Sequence, residues 1–513
     1  MTDQEDRTNK SDNENKGLKT SEGYLESRPF RKSPGAHVVH GLSINFVSQL
    51  VKLSLALLST VVLTRLLTPA DFGLVAMVVI IVGLVATFRD AGLGMATVQN
   101  QDLKHTQVSA LFWITIGLSL LAALLLAAIA PLIATFFDET RLSVITICLA
   151  MGVVVSGAGI QHIAILQRNM QFKSLALAQI TALTCGLAVA ITLAAEGFGH
   201  WALISNVLVT VTLETALCWI LCKWRPSRPA WDPSVVKMLR FGGALSGFNF
   251  INYFSRNGDN LLVGWRWGAD SLGLYSRAYE LIMLPIRHIN APLGSVAIPL
   301  LSRLQDDQTS FQRMYCRFAN LIAWLTVPLV SYMCINSKHI VSILWGASWS
   351  MAAPLLQVLA LAALGQSILS STGWIYVARD KTDVMLKVGA LTAVITIAAF
   401  VIGLPYGAIG VATAYAIAVN VLILPLLYVA CRSTQIDFSA LIKSIQVPAV
   451  LSAFASLIAF GTGSVIDNPM PALALVTSGL SFAAVFAIGY TAWPACRSEA
   501  QVVVAEIRER LAK

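Results

Sequence analysis

Polar side chains recur along the otherwise apolar segment 241–264. They are spaced by three or four positions, which places most of them on one face of a helix. They are Ser246, Asn249, Tyr253, Arg256 and Asn260, with Asn252 and Asp259 beside them. A guanidinium can hold a phosphate with two parallel hydrogen bonds, whereas amides and hydroxyls can bind sugar hydroxyls. Because a charge that faces lipid costs about 3 kcal/mol or more, we expect this face to line a polar cavity within the membrane.

A second polar row near the start of the chain supports a shared cavity. Segment 43–66 repeats the helical spacing with Asn45, Ser48, Gln49, Lys52 and Ser59. Lys52, with Gln49 one turn before it, would add a cation to the predicted binding cavity. The alternative is that Arg256 and Asp259, three positions apart, form an ion pair that only holds two helices together.

Segment 272–300 carries a third charged face, formed by Arg277, Glu280 and Arg287. Proline recurs every seven residues on a different side of the same predicted helix, at Pro285, Pro292 and Pro299. Because proline kinks membrane helices, we expect a bend where this face meets the cavity. Arg287 is the predicted third cation of the binding cavity, whereas Arg277 is expected to extend to the outer interface.

Three carboxylates are candidates for coupling the cavity to an ion gradient. Asp259 and Glu280 lie on the charged faces, and Glu214 stands alone in the apolar segment 201–222. Glu214 could equally carry a proton or be a carboxyl that burial keeps neutral. No residue pattern distinguishes H⁺ from Na⁺. Cys218 and Cys222 share a helix face and are interpreted as packing residues, so we expect no metal and no other cofactor.

The composition is typical of a polytopic membrane protein. The chain has 513 residues, of which 56% are hydrophobic and only 12% are charged, and its mean hydropathy is +0.70. We predict an all-α fold with about fourteen transmembrane helices. They lie near 43–66, 73–88, 108–134, 142–164, 174–195, 201–222, 241–264, 272–300, 318–334, 351–377, 386–404, 407–430, 444–463 and 471–493. The net charge of +9 is attributed to basic inner loops that contact anionic membrane lipids, not to nucleic-acid binding.

Basic residues and an internal repeat predict the topology. If residues 1–41 are cytoplasmic, most of the 36 Lys and Arg residues lie on that side, and both chain ends are cytoplasmic. The sequence Ala-Asp followed by Gly-Leu occurs at 70–74 and again at 269–274, which suggests two lobes. The predicted parts are a disordered tail (1–41), an N-terminal lobe with helices one to six (42–222), a linker (223–240), a C-terminal lobe with helices seven to twelve (241–431), two extra helices (432–493) and a C-terminal tail (494–513).

Four stretches resemble the bacterial polysaccharide transporter family. They are RLLTPADFGLVAMV (65–78), FRDAGLGMATVQ (88–99), LPIRHINAPLGSVAIPLLSRLQDD (284–307) and LWGASWSMAAPLLQVLALAAL (344–364). This family is the Wzx-type branch of the MATE-like multidrug/oligosaccharidyl-lipid/polysaccharide exporter superfamily. The resemblance implies two six-helix lobes in a V-shaped arrangement, two C-terminal helices, a central cationic cavity and alternating access. Its motifs fall on fold-bearing positions, so the candidate site residues depend on the polar rows alone.

The resemblance also implies a function. Such a protein is a flippase of the bacterial inner membrane that moves undecaprenyl-diphosphate-linked oligosaccharide units for exopolysaccharide, capsule or O-antigen biosynthesis. It is not an enzyme and acts as a monomer. Its expected partners are the lipid-linked oligosaccharide, membrane lipids, a coupling H⁺ or Na⁺, and a polysaccharide polymerase or co-polymerase. The glycan carried is left open.

Two alternatives remain at this point. A MATE-type multidrug or cation antiporter would need an anionic or aromatic cavity, whereas the deepest candidates here are cations. A membrane glycan polymerase or ligase would need large outer loops with catalytic side chains. The longest predicted outer loop, about 335–350, offers only Lys338 and His339.

Overall fold

The computed structural model describes residues 34–90, 92–99, 103–229, 235–465 and 471–492, and these ranges are helical almost throughout. Twelve helical stretches in the described ranges are apolar and long enough to span a membrane. The prediction of an all-α, multi-pass membrane protein is therefore confirmed. Two of these stretches, 256–303 and 382–434, are much longer than the roughly 20 residues of one crossing. The count of fourteen helices stays a prediction.

The chain divides into two compact units, 1–273 and 274–513. In its described residues, the first unit contains seven helices and the first arm of a long eighth helix. They are α1 (Pro34–Leu66), α2 (Pro69–Asp90), α3 (Leu93–Gln99), α4 (His105–Phe136), α5 (Leu142–Arg168), α6 (Phe172–Ala195), α7 (His200–Leu221) and α8 (Val235–Arg303). Within this unit α4 packs along α5, α6 along α7, and α1 along α6. The packing brings the polar positions of α1, α6 and α7 together.

The second unit contains the other arm of α8 and the remaining helices. They are α9 (Gln308–Ile335), α10 (Ser337–Leu344), α11 (Ala352–Ser370), α12 (Thr372–Ala378), α13 (Thr382–Gly403), α14 (Gly407–Thr434), α15 (Phe438–Val465) and α16 (Pro471–Ala492). Short 3₁₀ turns lie at Ala347–Trp349 and Leu404–Tyr406. Its main core joins α9, α11, α12 and α14 around buried side chains such as Tyr315 and Trp374. The α15 and α16 pair packs on α9 and α10.

Gly268 breaks α8 into two arms, 235–267 and 269–303. Its φ of 77° and ψ of −175° are not helical. Residues with a Cβ rarely adopt this positive φ, whereas glycine adopts it readily. The break falls within the loop that the sequence predicts between segments 241–264 and 272–300.

The division after Gly273 falls later in the chain than the linker predicted at 223–240. The described beginning of that linker packs on the first unit. Trp224 is fully buried, and its indole nitrogen donates to Nδ1 of His105 at 3.0 Å. Trp113 likewise donates to the carbonyl oxygen of Ser227 at 2.8 Å. The predicted domain boundaries stay a prediction.

The two copies of the repeated sequence contact each other through glycine. A Cβ on Gly73 would lie 1.7 Å from the carbonyl oxygen of Ala269. Reciprocally, a Cβ on Gly273 would lie 1.8 Å from the carbonyl oxygen of Pro69. Gly73 therefore contacts the residue four positions before Gly273, and Gly273 contacts the residue four positions before Gly73. This pattern is expected where two helices cross at small-residue motifs. The repeat was predicted from sequence, but its self-contact was not.

We expect Gly73→Ala to destabilise the protein, because the new methyl group would collide with backbone that cannot rotate away. Overpacking of this kind costs about 1–3 kcal/mol or more. Gly117→Ala is the matched control, since a Cβ at Gly117 would have no atom of the described residues within 4 Å. The check is the thermal unfolding temperature of both variants in detergent. Equal unfolding temperatures for the two variants would show that the helix crossing at Gly73 accommodates a methyl group without loss of stability.

Candidate functional site

The first arm of α8 positions the polar row, but its side chains do not share one environment. Arg256 is exposed and has no ion-pair partner in the described part of the chain, whereas Asp259 is only 2% exposed. Oδ1 of Asp259 accepts from the backbone N–H of Asn260 at 2.7 Å. The described contacts therefore favour a free guanidinium at Arg256 over a clamp to Asp259.

Tyr253 and Asn257 use their polar groups within the protein. The Tyr253 hydroxyl donates to the carbonyl oxygen of Ile80 on α2 at 2.7 Å, and the ring lies over Gly83. The Asn257 amide donates to the carbonyl oxygen of Tyr253 at 2.9 Å. Tyr253, predicted to bind a ligand, is here mainly a contact that joins the first arm of α8 to α2.

Asn260 differs from Tyr253 and Asn257, because its side chain is not fully hydrogen-bonded within the described ranges. Its side-chain oxygen Oδ1 is buried and has no hydrogen-bond partner in the described ranges. An unsatisfied buried acceptor costs about 1–3 kcal/mol, so this atom is suited to a donor supplied by a ligand. Asn249 and Asn252, which belong to the same predicted row, lie in the helix at positions whose side chains are outside the described part.

Lys52, Gln179 and Glu214 form a hydrogen-bonded chain across three helices of the first unit. The ammonium of Lys52 on α1 donates to Oε1 of Gln179 on α6. The amide nitrogen of Gln179 then donates to Oε1 of Glu214 on α7 at 2.9 Å. Gln49, one turn before Lys52, is exposed. The structure thus connects a predicted substrate cation to a predicted ion-coupling carboxylate.

Gln179 is the member of this chain that the sequence analysis missed. It is a single amide in the apolar helix α6, so no spacing pattern marks it. Its position within a candidate span is a usable signal, because a side-chain amide inside a membrane helix needs a hydrogen-bond partner. Its two ends, one accepting and one donating, match a cation on one side and a carboxylate on the other.

The second arm of α8 holds the other two predicted residues, in the second unit. Glu280 is paired with Arg277, whose guanidinium lies 2.7 Å from Oε2 of Glu280. The Glu280 side chain is 44% exposed, so it is less enclosed than the sequence suggests. Arg287 is exposed, and it lies about one turn before Asn290, which donates to the carbonyl oxygen of Ser367 on α11 at 3.0 Å.

An apolar groove lies beside the polar row in the first unit. Its volume is about 390 Å³, and it is formed between α2, the end of α4 and the first arm of α8. Tyr253 and Asn257 belong both to its lining and to the polar helix face. The other lining residues are Ile80, Ile81, Leu84, Ile129, Leu132, Ile133, Phe136, Phe254 and Leu261. This juxtaposition could accommodate an amphiphile with an apolar chain and a polar head.

The sequence of this chain is similar to that of known proteins. Residues 62–354, more than half of the chain, match the family described as polysaccharide biosynthesis protein. The chain belongs to this family. The resemblance found in the sequence is thereby confirmed. Among named relatives, the lipopolysaccharide biosynthesis protein WzxC of Escherichia coli strain K12 is 24% identical over 73% of this chain and 76% of its own length.

Solved structures of other proteins show the same fold as this member of the polysaccharide biosynthesis protein family. The lipid II flippase MurJ in an inward closed conformation superposes with a TM-score of 0.71 at 16% identity, over 88% of this chain and 98% of MurJ. An inward-facing MATE family multidrug resistance transporter gives a TM-score of 0.60 at 15% identity, over 78% and 99% of the two chains. At such identities the likeness concerns the fold alone, and it confirms the predicted MATE-like architecture.

Proposed function

We propose that this chain is a flippase that moves undecaprenyl-diphosphate-linked oligosaccharide units across the bacterial inner membrane by alternating access. The observation that carries the proposal is the match to the polysaccharide biosynthesis protein family on a multi-pass membrane chain. The transported units would serve exopolysaccharide, capsule or O-antigen biosynthesis. No step of this function makes or breaks a covalent bond, so the proposal includes no enzymatic activity and no cofactor.

The polar residues suit the two parts of such a headgroup. Arg256 and Arg287 present exposed guanidinium groups that can bind a diphosphate with paired hydrogen bonds. Asn260 offers a sugar hydroxyl a buried acceptor that has no partner among the described residues, and Gln49 offers an exposed amide. The polyprenyl chain need not leave the bilayer, and the groove beside Tyr253 gives its first units an apolar surface.

The chain from Lys52 through Gln179 to Glu214 supports a route for ion coupling. While Glu214 is ionised, it accepts from Gln179 and so keeps the amide oxygen directed at Lys52. Proton or Na⁺ uptake at Glu214 removes the negative charge that helps to hold the ammonium of Lys52. Lys52 is then released to bind the diphosphate. Asp259 and Glu280 remain proposed contributors to ion coupling.

Membrane topology, assembly state and domain division are also proposed. Both chain ends are proposed to lie in the cytoplasm, since that topology places most Lys and Arg residues on the inner side. The protein is proposed to act as a monomer beside a polysaccharide polymerase or co-polymerase. The two-lobe division at 42–222 and 241–431 remains part of the proposal.

The experiment that tests this function is deletion of the gene in its host. We expect lipid-linked repeat units to accumulate on the cytoplasmic leaflet, because assembly continues while transport stops. Restoration by a plasmid copy is the control. Accumulation on the outer leaflet would instead indicate a polymerase or ligase, and unchanged amounts with altered cation resistance would indicate an antiporter.

A further inference from the structure

A polar cavity lies in the second unit, between the first turns of α9 and α15. Its volume is about 470 Å³. Arg313 and Arg317, one turn apart on α9, contribute two guanidinium groups, and Ser444 on α15 contributes a hydroxyl. The other lining residues are Gln308, Thr309, Gln312, Cys316 and Ala440. This cavity lies outside the polar rows and has no role in the proposed transport.

Two carboxylates near the cavity cap the helices that form it. Asp307 accepts from the backbone N–H of Ser310 at 3.0 Å and caps α9. Hydrogen bonds from the hydroxyl and the backbone N–H of Ser310 keep the pKa of Asp307 below its ordinary value, and the positive charge of Arg313 adds to this effect. Asp437 likewise accepts from Ser439 and Ala440 at the start of α15. Both helix N-termini therefore use their own caps. An anion entering the cavity would be bound by the two arginines and by the hydroxyl and amide groups.

The position of the cavity indicates where such an anion comes from. It lies at the first residues of two candidate spans, 308–335 and 438–462, which is the depth of lipid headgroups. Gln308 connects three turns there, because it donates to the carbonyl oxygen of Gln435 and accepts from the guanidinium of Arg379. Exposed basic residues lie close in the chain to Gln308, Gln435 and the start of α15: Arg303, Arg432 and Lys443. Basic pockets between membrane helices on the inner side are typical binding sites for anionic lipid headgroups.

We propose that this cavity binds the phosphate of an anionic phospholipid. The two guanidinium groups hold the phosphate, and Ser444 donates a hydrogen bond from the facing helix. Cys316 and Ala440 provide the apolar side on which the glycerol backbone rests. A bound lipid would then bridge the starts of α9 and α15, which pack along each other in the second unit.

The test is native mass spectrometry of the purified full chain, titrated with phosphatidylglycerol, cardiolipin or zwitterionic phosphatidylethanolamine. Arg313→Gln with Arg317→Gln should weaken binding of the anionic lipids roughly tenfold or more and leave phosphatidylethanolamine unchanged. The matched control, Lys381→Gln with Lys387→Gln, removes the same charge from exposed positions outside the cavity. We expect anionic lipid binding by this control to stay within about twofold of the wild type. Arg313→Lys with Arg317→Lys keeps the charge and should retain most of the binding.

Two further results would overturn the lipid proposal. Competition by inorganic phosphate or glycerol phosphate at low millimolar concentration would assign the cavity to a soluble phosphate and overturn the lipid proposal. Equal weakening by the cavity and control variants would also overturn it, because the effect would then be general surface charge. If the double Gln variant does not fold, the single variant Arg313→Gln is measured in the same way.

Discussion

Arg256→Ala is expected to abolish export of the lipid-linked glycan without reducing the amount of inserted protein. The side chain is exposed on the first arm of α8 and has no ion-pair partner in the described part of the chain, so its removal leaves no buried charge unpaired. What is lost is the bidentate hold on a phosphate. Arg256→Lys keeps the charge but loses this geometry, so we expect export to fall only partially. Complementation of a deletion strain, normalised to membrane protein level, measures both variants.

Arg266→Ala is the matched control for this prediction. Arg266 is an exposed arginine on the same arm, but it stacks on the Trp267 ring at 5.4 Å and lies off the polar row. Its loss should leave export near the wild-type level. A structural clamp between Arg256 and Asp259 predicts the opposite pattern, with poorly folded Arg256→Ala and restored function when the two charges are exchanged. Normal export by folded Arg256→Ala would refute a role in substrate binding.

A second large effect is expected when the hydrogen-bonded side chains of Lys52, Gln179 and Glu214 are substituted. Lys52→Gln should reduce export at least about tenfold, which corresponds to about 1.4 kcal/mol of lost stabilisation. Glu214→Gln keeps the shape and a polar group but cannot be charged. If Glu214 carries the coupling ion, the variant should lose most of the dependence of export on the external pH or Na⁺ concentration. Export rates in inverted vesicles, with each gradient imposed separately, provide the measurement and identify the ion.

Gln179→Leu tests whether these three residues act together. It removes the link between the ammonium and the carboxylate while leaving both in place, so its gradient dependence should resemble that of Glu214→Gln. Thr184→Leu is the control, since it also replaces a polar side chain of α6 by an apolar one, but at an exposed position. Wild-type rates and gradient dependence in Gln179→Leu would show that Lys52 and Glu214 act independently.

The parts of the fold that hydropathy and spacing determine were predictable from the sequence. A span must be apolar over about 20 residues, so the segments around α1, α4 and α7 are visible without a structure. The loop between the two arms of α8 was predicted for the same reason. The exact break was not, because Gly268 is one of several nearby glycines and only the backbone angles distinguish it.

Which partner each polar side chain finds was not predictable. Helical spacing places Tyr253 and Arg256 on one face, yet Tyr253 donates to α2 while Arg256 stays exposed. That difference arises from packing between helices that are about 170 residues apart in the chain. Gln179 was missed for a related reason, since a single amide has no periodicity. Trp224 lies in the predicted linker, and no spacing pattern pairs it with His105, which accepts a hydrogen bond from its buried indole N–H.

Reconstitution in liposomes measures directly whether the protein moves a lipid-linked oligosaccharide between leaflets. The purified full chain would be placed in liposomes that contain a fluorescent prenyl-diphosphate-linked oligosaccharide in both leaflets, and a membrane-impermeant glycosidase would be added outside. We expect that the protein, but not Arg256→Ala, carries labelled lipid from the inner to the outer leaflet, so that cleavage proceeds beyond the outer-leaflet pool. Cleavage that stops at the level of protein-free liposomes, under every imposed H⁺ and Na⁺ gradient, would contradict it.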